Sequence, residues 1–471
     1  IPKGLVGSEM CIRDRYYLLY IDFLNRLEVC ITIGILIMIN LLYQTWLENN
    51  RPISNSVVPH KRKQSTIGYQ NVKHNYLENM FGVADIEYKQ CKISDINDNE
   101  IYYYHIQPEW IDLAFYYENV FYNIDKDMLE LIKNKPNVRI LIWFPSEGFS
   151  LKMDRFIGDI IWSLGDMGIA FNKVFFVYGD LNITQNWERY KNNTRRWDVD
   201  INFYPFNIFE HNYRHECNVR YFSDHPKKKV SIEDELVDID NLDLDKIRSK
   251  RYLCKNANPR EHRILIVSEL FRKGLDKHGI ISFLNRYFDP NNFSFVDRYT
   301  DEEVQIKSQH AEHWSKNQTP IILDHDKNTI EEGMNQRILK REHFADTYFS
   351  FVTETVFDDA PAPLFITEKI YQPMMNYHPF IVTAGPGCLQ YLRDQGYETF
   401  PEMFNESYDK MSSLKQRYAH IMSEVERLCA MDINQLNSIY KKIVPKLKHN
   451  REHFLKKDTR QNFMDLLKWL K

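Results

Sequence analysis

Two carboxylates and an ammonium lie close together in one stretch of this chain. Glu354 sits within Phe349-Ser-Phe-Val-Thr-Glu-Thr-Val-Phe357, and Glu368 and Lys369 belong to Thr367-Glu-Lys-Ile-Tyr371. Phe349 to Val352 reads as a buried strand, Asp358 to Pro363 as a proline-rich loop, and Thr367 as the opening of a helix. In an open α/β sheet, the carboxyl end of a strand facing a helix N-terminus is where ligands sit, because free backbone N–H groups there receive anions. Carboxylates accept hydrogen bonds from ribose hydroxyls and a lysine offsets phosphate charge. The chemistry expected of this stretch is therefore nucleotide binding.

The elements that must position these groups follow an alternating rhythm. Val138 to Phe144 and Lys173 to Tyr178 are short, continuously apolar and closed by turn signals, as strands covered on both faces are. Leu151 to Met167 between them has helical spacing, with Phe156, Ile160, Ile161 and Leu164 on one side, so a parallel sheet is expected. Further on, strands are expected at Arg263 to Val267, Phe293 to Val296, Pro320 to Leu323, Tyr348 to Val352 and Phe380 to Thr383. Helices are expected through Leu284, over Thr367 to Asn376 and over Cys388 to Gln395, with a largely helical tail from Ser412 to Lys471.

The division expected is as follows. Residues 1–15 resemble an assembly scar and are set aside. Residues 16–75 hold an apolar segment and a polar linker, and 76–250 form an N-terminal α/β acceptor-side domain with a connector. A C-terminal α/β nucleotide-sugar-binding domain follows at 251–430, and C-terminal helices at 431–471. Within 27–47 the apolar run approaches the ~20 residues that span a bilayer, so a signal anchor is one reading and a buried helix another. The protein is membrane-associated on the first reading and cytoplasmic on the second.

Composition narrows the classes. With 43% hydrophobic and 14% aromatic residues the chain is a folded globular body. A net charge of −4 gives no electrostatic basis for nucleic-acid binding. The seven cysteines are scattered without CxxC spacing, which points to free thiols rather than a disulfide framework.

The segments Phe-x-Phe-Val-Thr-Glu-Thr, Ile-Thr-Glu-Lys-Ile-Tyr and Pro379-Phe-Ile-Val resemble the donor-binding region of family 10 glycosyltransferases, the alpha-1,3/4-fucosyltransferases. They resemble still more closely a group of glycosyltransferase-like proteins from viruses and microbes. Arg251 to Arg263, with its Asn256, Arg260 and His262, is similar to the opening of the second domain in that group. So are Gly385-Pro-Gly387, Gly396 to Phe400 and Glu406 to Asp409. The likeness spans roughly residues 250 to 430.

The resemblance implies an α/β fold of two Rossmann-like domains facing a cleft (GT-B type) with a helical C-terminal tail. It also implies a metal-independent, inverting transfer of a sugar, fucose first, from a nucleotide-sugar donor (GDP-fucose) to a glycan or glycoconjugate hydroxyl. No cofactor is implied. Lys369 carries over to the diphosphate and Glu368 to the ribose, with Glu354 and Thr367 in the same pocket. Without a metal, cations must stabilise the leaving diphosphate, and Arg260 and Arg263 are the further candidates; alternatively they only flank a strand. Glu147, after the strand ending at Phe144, is the candidate base, since enclosure raises a carboxyl toward proton-accepting range; alternatively it serves a helix N-terminus. Asp324-His-Asp326 offers a metal-ligating reading, but Asp-x-Asp recurs cheaply in this composition. A non-catalytic glycan- or nucleotide-binding protein on the same fold is the alternative function.

Overall fold

The computed structural model describes residues 38–42, 81, 84, 86–106, 121, 124–146, 148, 154–194, 199–218, 236–257, 259–284, 311, 314–315, 319–323 and 339–471. Two parallel sheets organise them. The first has six strands in the order β2-β1-β3-β4-β5-β6: β1 (Ile39–Leu42), β2 (Tyr88–Cys91), β3 (Tyr102–Ile106), β4 (Val138–Phe144), β5 (Val174–Tyr178) and β6 (Asn202–Pro205). The second has four, ordered β10-β9-β7-β8: β7 (Tyr252–Asn256), β8 (Gly279–Phe283), β9 (Phe349–Thr353) and β10 (Phe380–Thr383). Every pairing within these sheets is parallel.

Helices cover the faces, as parallel strands require. In the first half they are α1 (Lys126–Asn134), α2 (Asp154–Asp166), α3 (Ile183–Thr194) and α4 (Ile208–Cys217). In the second they are α5 (Glu261–Arg272), α6 (Arg341–Ala345), α7 (Glu368–Met375) and α8 (Cys388–Asp394). The tail forms α9 (Leu414–Ala430), α10 (Ile433–Lys456) and α11 (Arg460–Leu470). The last of these crosses back: Phe463, Leu466, Leu467 and Leu470 are buried with Ile39, Leu41, Tyr103 and Trp143 of the first sheet. Two Rossmann-like halves, each built on a parallel sheet, and a helical tail make up the α/β architecture.

Four expectations are corrected. Arg263 to Val267 is the first part of helix α5, not a strand; the strand is Tyr252–Asn256 upstream. Because α5 is buried on nearly every side from His262 to Val267, its apolar run lacks the polar face that marks a surface helix. The residues approaching Leu284 are strand β8 rather than helix, and of Pro320 to Leu323 only Ile321 bridges to Phe283. Ile39–Leu42, inside the 27–47 segment, pairs with strands on both sides and is buried throughout. Its apolarity thus belongs to a doubly covered strand. No helix among the described residues is long and apolar enough to cross a membrane. Phe293 to Val296 lies outside the described residues.

His378 ties the second sheet together ahead of β10. Its Nε2 lies 2.8 Å from Thr347 O and its Nδ1 2.8 Å from Ser350 Oγ, so a neutral ring donating to the carbonyl and accepting from the hydroxyl satisfies both. Complete burial, with Arg248 nearby, lowers its pKa to about 3. A group that resists protonation when folded contributes stability above its unfolded pKa of about 6.5. That contribution is lost as pH falls from there toward the folded value. The melting temperature of the wild type should therefore fall more steeply than that of His378→Gln between pH 6.5 and 4. Parallel curves from pH-resolved thermal melts would contradict this assignment.

Candidate functional site

Glu354 is the first residue beyond β9 and is fully buried. Its Oε1 accepts from the Thr367 amide at 3.0 Å and its Oε2 from the Thr367 hydroxyl at 2.7 Å. Thr367 is in turn the N-cap of α7, its Oγ1 accepting from the Lys369 amide. The thirteen-residue excursion from strand to helix is thus closed by a carboxylate at a helix N-terminus, where helix dipole and free N–H groups favour negative charge. Burial raises the Glu354 pKa, opposed by Lys369 and by the Thr367 bonds.

The Lys369 ammonium lies 3.0 Å from Thr367 Oγ1 and 2.9 Å from Glu368 Oε1. Glu368 is nearly buried, while the Lys369 side chain is partly open to solvent. Arg263 approaches from α5: its Nη2 donates to Thr353 O at 3.2 Å and Glu354 O at 3.1 Å, and His262 Nε2 lies 2.8 Å from Glu354 O. Burial lowers the Arg263 pKa to about 10, Arg260 adding to the effect while Glu354 and Glu368 oppose it. Arg260 is the extended N-cap residue of α5 and half-buried. Asn256, ending β7, accepts from the Thr353 hydroxyl.

Five of the residues singled out from sequence, Arg263, Glu354, Thr367, Glu368 and Lys369, therefore meet at the carboxyl end of β9, with Arg260 in electrostatic reach. Their surroundings differ from those expected. Arg263 is committed to backbone carbonyls and Glu354 to the helix cap, so both shape the site from beneath. Lys369 and Arg260, both partly exposed, are the groups nearest solvent, with Glu368 just beneath Lys369. Glu147 and Asp324 to Asp326 lie outside the described residues.

The Gly385-Pro-Gly387 turn behaves differently from a phosphate cradle. Gly387 adopts φ +83°, and the following helix N-terminus is taken by Asp409, whose Oδ1 and Oδ2 accept from Leu389 and Gln390 amides at 2.9 and 3.0 Å. Gly385 has no room for a Cβ against the Pro363 carbonyl. The turn therefore supports the loop entering α7.

The first half contributes residues that sequence reasoning missed. Asp180, two residues beyond β5, is fully buried and accepts from the Asn182 amide at 2.9 Å, the Leu364 amide at 2.8 Å and Asn186 Nδ2 at 2.8 Å. Desolvation pushes its pKa up to about 6. From sequence, Gly179-Asp180 reads only as the turn that closes a strand; its place at a carboxyl sheet edge is the usable signal.

No family model and no curated protein matches the chain. Among solved structures, an alpha,alpha-trehalose-phosphate synthase (UDP-forming) from Burkholderia vietnamiensis is similar at 12% identity and a TM-score of 0.35. The match covers 83% of this chain and 75% of that one. So slight a likeness carries no argument about activity.

The cap itself is testable. Thr367→Val removes one donor to Glu354 and the acceptor for the Lys369 amide, and should cost about 1–3 kcal/mol in urea denaturation. Glu354→Gln keeps the shape and lacks the ionisable group. Because a carboxyl with a raised folded pKa loses stabilisation as pH rises through that value, Glu354→Gln should gain relative to wild type with rising pH. A pH-independent difference would show that folding leaves the Glu354 pKa unshifted.

Proposed function

We propose that this protein is a glycosyltransferase that binds a nucleotide-sugar donor at the amino end of α7 and transfers the sugar to a glycan or glycoconjugate hydroxyl. The observation that carries this reading is the Thr367-Glu368-Lys369 helix start set at the carboxyl end of β9 and held there by Glu354. It supplies an ammonium for the departing diphosphate and a carboxylate for ribose hydroxyls. The sequence resemblance to alpha-1,3/4-fucosyltransferases makes GDP-fucose the proposed donor.

In this reading the acceptor oxygen attacks the anomeric carbon as the carbon–oxygen bond to the diphosphate breaks. The bonding pair leaves with the diphosphate, whose charge Lys369 offsets, and the acceptor proton passes to the Glu147 carboxylate. A single displacement of this kind inverts the anomeric centre. Arg260 assists from the N-cap of α5. Glu354, Thr367 and Arg263 hold the backbone that presents Lys369. The next residue in the chain, Gly148, packs so closely on Phe365 that no Cβ fits between them, and this contact with the loop into α7 supports the reading.

The alternative, binding without turnover, is favoured by the existing pairing of Lys369 with Glu368, which already balances the ammonium. A thermal-shift screen with GDP, UDP and CMP should show stabilisation by GDP, about 2.7 kcal/mol at a hundredfold excess over Kd. Lys369→Met should weaken GDP binding at least tenfold, and Glu147→Gln should abolish transfer while leaving GDP binding intact. If no nucleotide stabilises the folded wild type, the reading fails; if GDP binds but no sugar donor is turned over, the binding-only alternative holds.

A further inference from the structure

The loop between β9 and α7 is gripped from both halves of the molecule. On its own side, Arg417, almost wholly buried, donates to the Asp358, Met411 and Ser412 carbonyls, and Asp359 Oδ1 accepts from the Leu414 amide at 2.6 Å. Across the boundary, Leu364 donates its amide to Asp180 at 2.8 Å and accepts from the Leu181 amide at 2.8 Å. Asn186 Nδ2 reaches the Ala362 carbonyl at 3.3 Å as well as Asp180. Phe365, the next residue, lies against Gly148 and packs edge-on to Phe209, with ring centroids 5.4 Å apart. Three residues beyond Leu364 stands Thr367, the cap from which Glu368 and Lys369 project.

We propose that Asp180 is a positioning residue: with Asn186 it clasps Ala362 and Leu364, so that the first half sets the placement of the Thr367–Lys369 ligand site in the second. The identity of the ligand rests on the glycosyltransferase reading, while the clasp itself does not. A buried carboxylate with three donors is costly to assemble and directional once assembled, because each donor must stay in place to offset desolvation. The loop it holds has little freedom left between Arg417 and Asp180. Any ligand that orders the α7 N-terminus consequently strengthens the contact between halves, and loosening that contact weakens the ligand by the same factor.

The test uses the full chain with GDP and UDP as probes and compares Asp180→Ala, Asp180→Asn, Asn186→Ala and Asn437→Ala. Asn437 is buried and bonds the Leu244 carbonyl, away from the loop, so its variant controls for lost stability alone. Asp180→Ala should weaken the nucleotide that binds wild type by about 5–150-fold, the usual range of coupling between sites. Asp180→Asn keeps an oxygen for the Leu364 amide but loses the acceptor for Asn186 Nδ2, so its affinity should fall between those of wild type and Asp180→Ala. Asn437→Ala should stay within about threefold of wild type. Amide hydrogen exchange without nucleotide should speed at 362–369 in Asp180→Ala, and in Asn186→Ala should Asp180→Ala not fold. Unchanged affinity in Asp180→Ala, or equal weakening in Asn437→Ala, overturns the proposal. If neither nucleotide binds wild type, faster exchange confined to 362–369 upholds the clasp while the glycosyltransferase reading falls; unaltered exchange there removes the clasp too.

Discussion

The burial of the Glu354 carboxylate at the start of α7 is the constraint on which this site depends. Removing a carboxylate from water is costly unless donors surround it. Here the Thr367 amide and hydroxyl, the helix start and the nearby Lys369 together replace part of the lost hydration. The same bonds that compensate the charge also fix where the chain re-enters regular structure after the proline-rich loop. Lys369 and Glu368 owe their position to that closure, and Arg263 and His262 secure the strand end beneath it.

The two halves meet through polar as well as apolar contacts. Asn207 Nδ2 donates to the Tyr371 hydroxyl at 2.9 Å, on the helix that carries Lys369. Glu210, fully buried, accepts from the Tyr397 hydroxyl at 2.6 Å and from Lys457 at 2.8 Å. His211 Nδ1 lies 2.6 Å from Thr459 Oγ1, just where the tail turns toward the first sheet. These groups are directional and satisfied only in one relative placement of the halves, whereas apolar burial alone tolerates sliding. Asn207, Glu210 and His211 all follow β6, at the carboxyl edge of the first sheet. Helix α11 closes the arrangement by burying its apolar face on the first sheet.

Where local pattern and burial agree, sequence and structure coincide closely. Val138–Phe144 and Phe380–Thr383 are strands with the ends expected, because turn residues bound a short apolar run. The helix at 368–375 is bounded by Thr367 and Asn376, whose capping chemistry is readable locally. The pattern misleads where burial is complete. Ile264 to Val267 looks like a strand because a helix buried all round has no polar stripe, and Ile39–Leu42 looks like part of a membrane segment because a central parallel strand is apolar on both faces. In each case hydropathy reports how much water is excluded, and not which backbone excludes it.

The candidate site divides along the same line. Thr367, Glu368 and Lys369 are consecutive and Glu354 ends a legible strand, so residue type and spacing alone bring them to one strand-to-helix passage. Spacing along the chain says nothing about partners 184 residues apart, such as Asp180 and Leu364, or about Arg417 reaching back to Asp358. Sequence by itself determined the alternation of strands and helices and the chemistry available at one helix start, since both are properties of neighbouring residues. Tertiary structure alone decided which charges are spent on holding backbone and which remain near solvent, because hydrogen-bond geometry and desolvation exist only once distant segments are packed together.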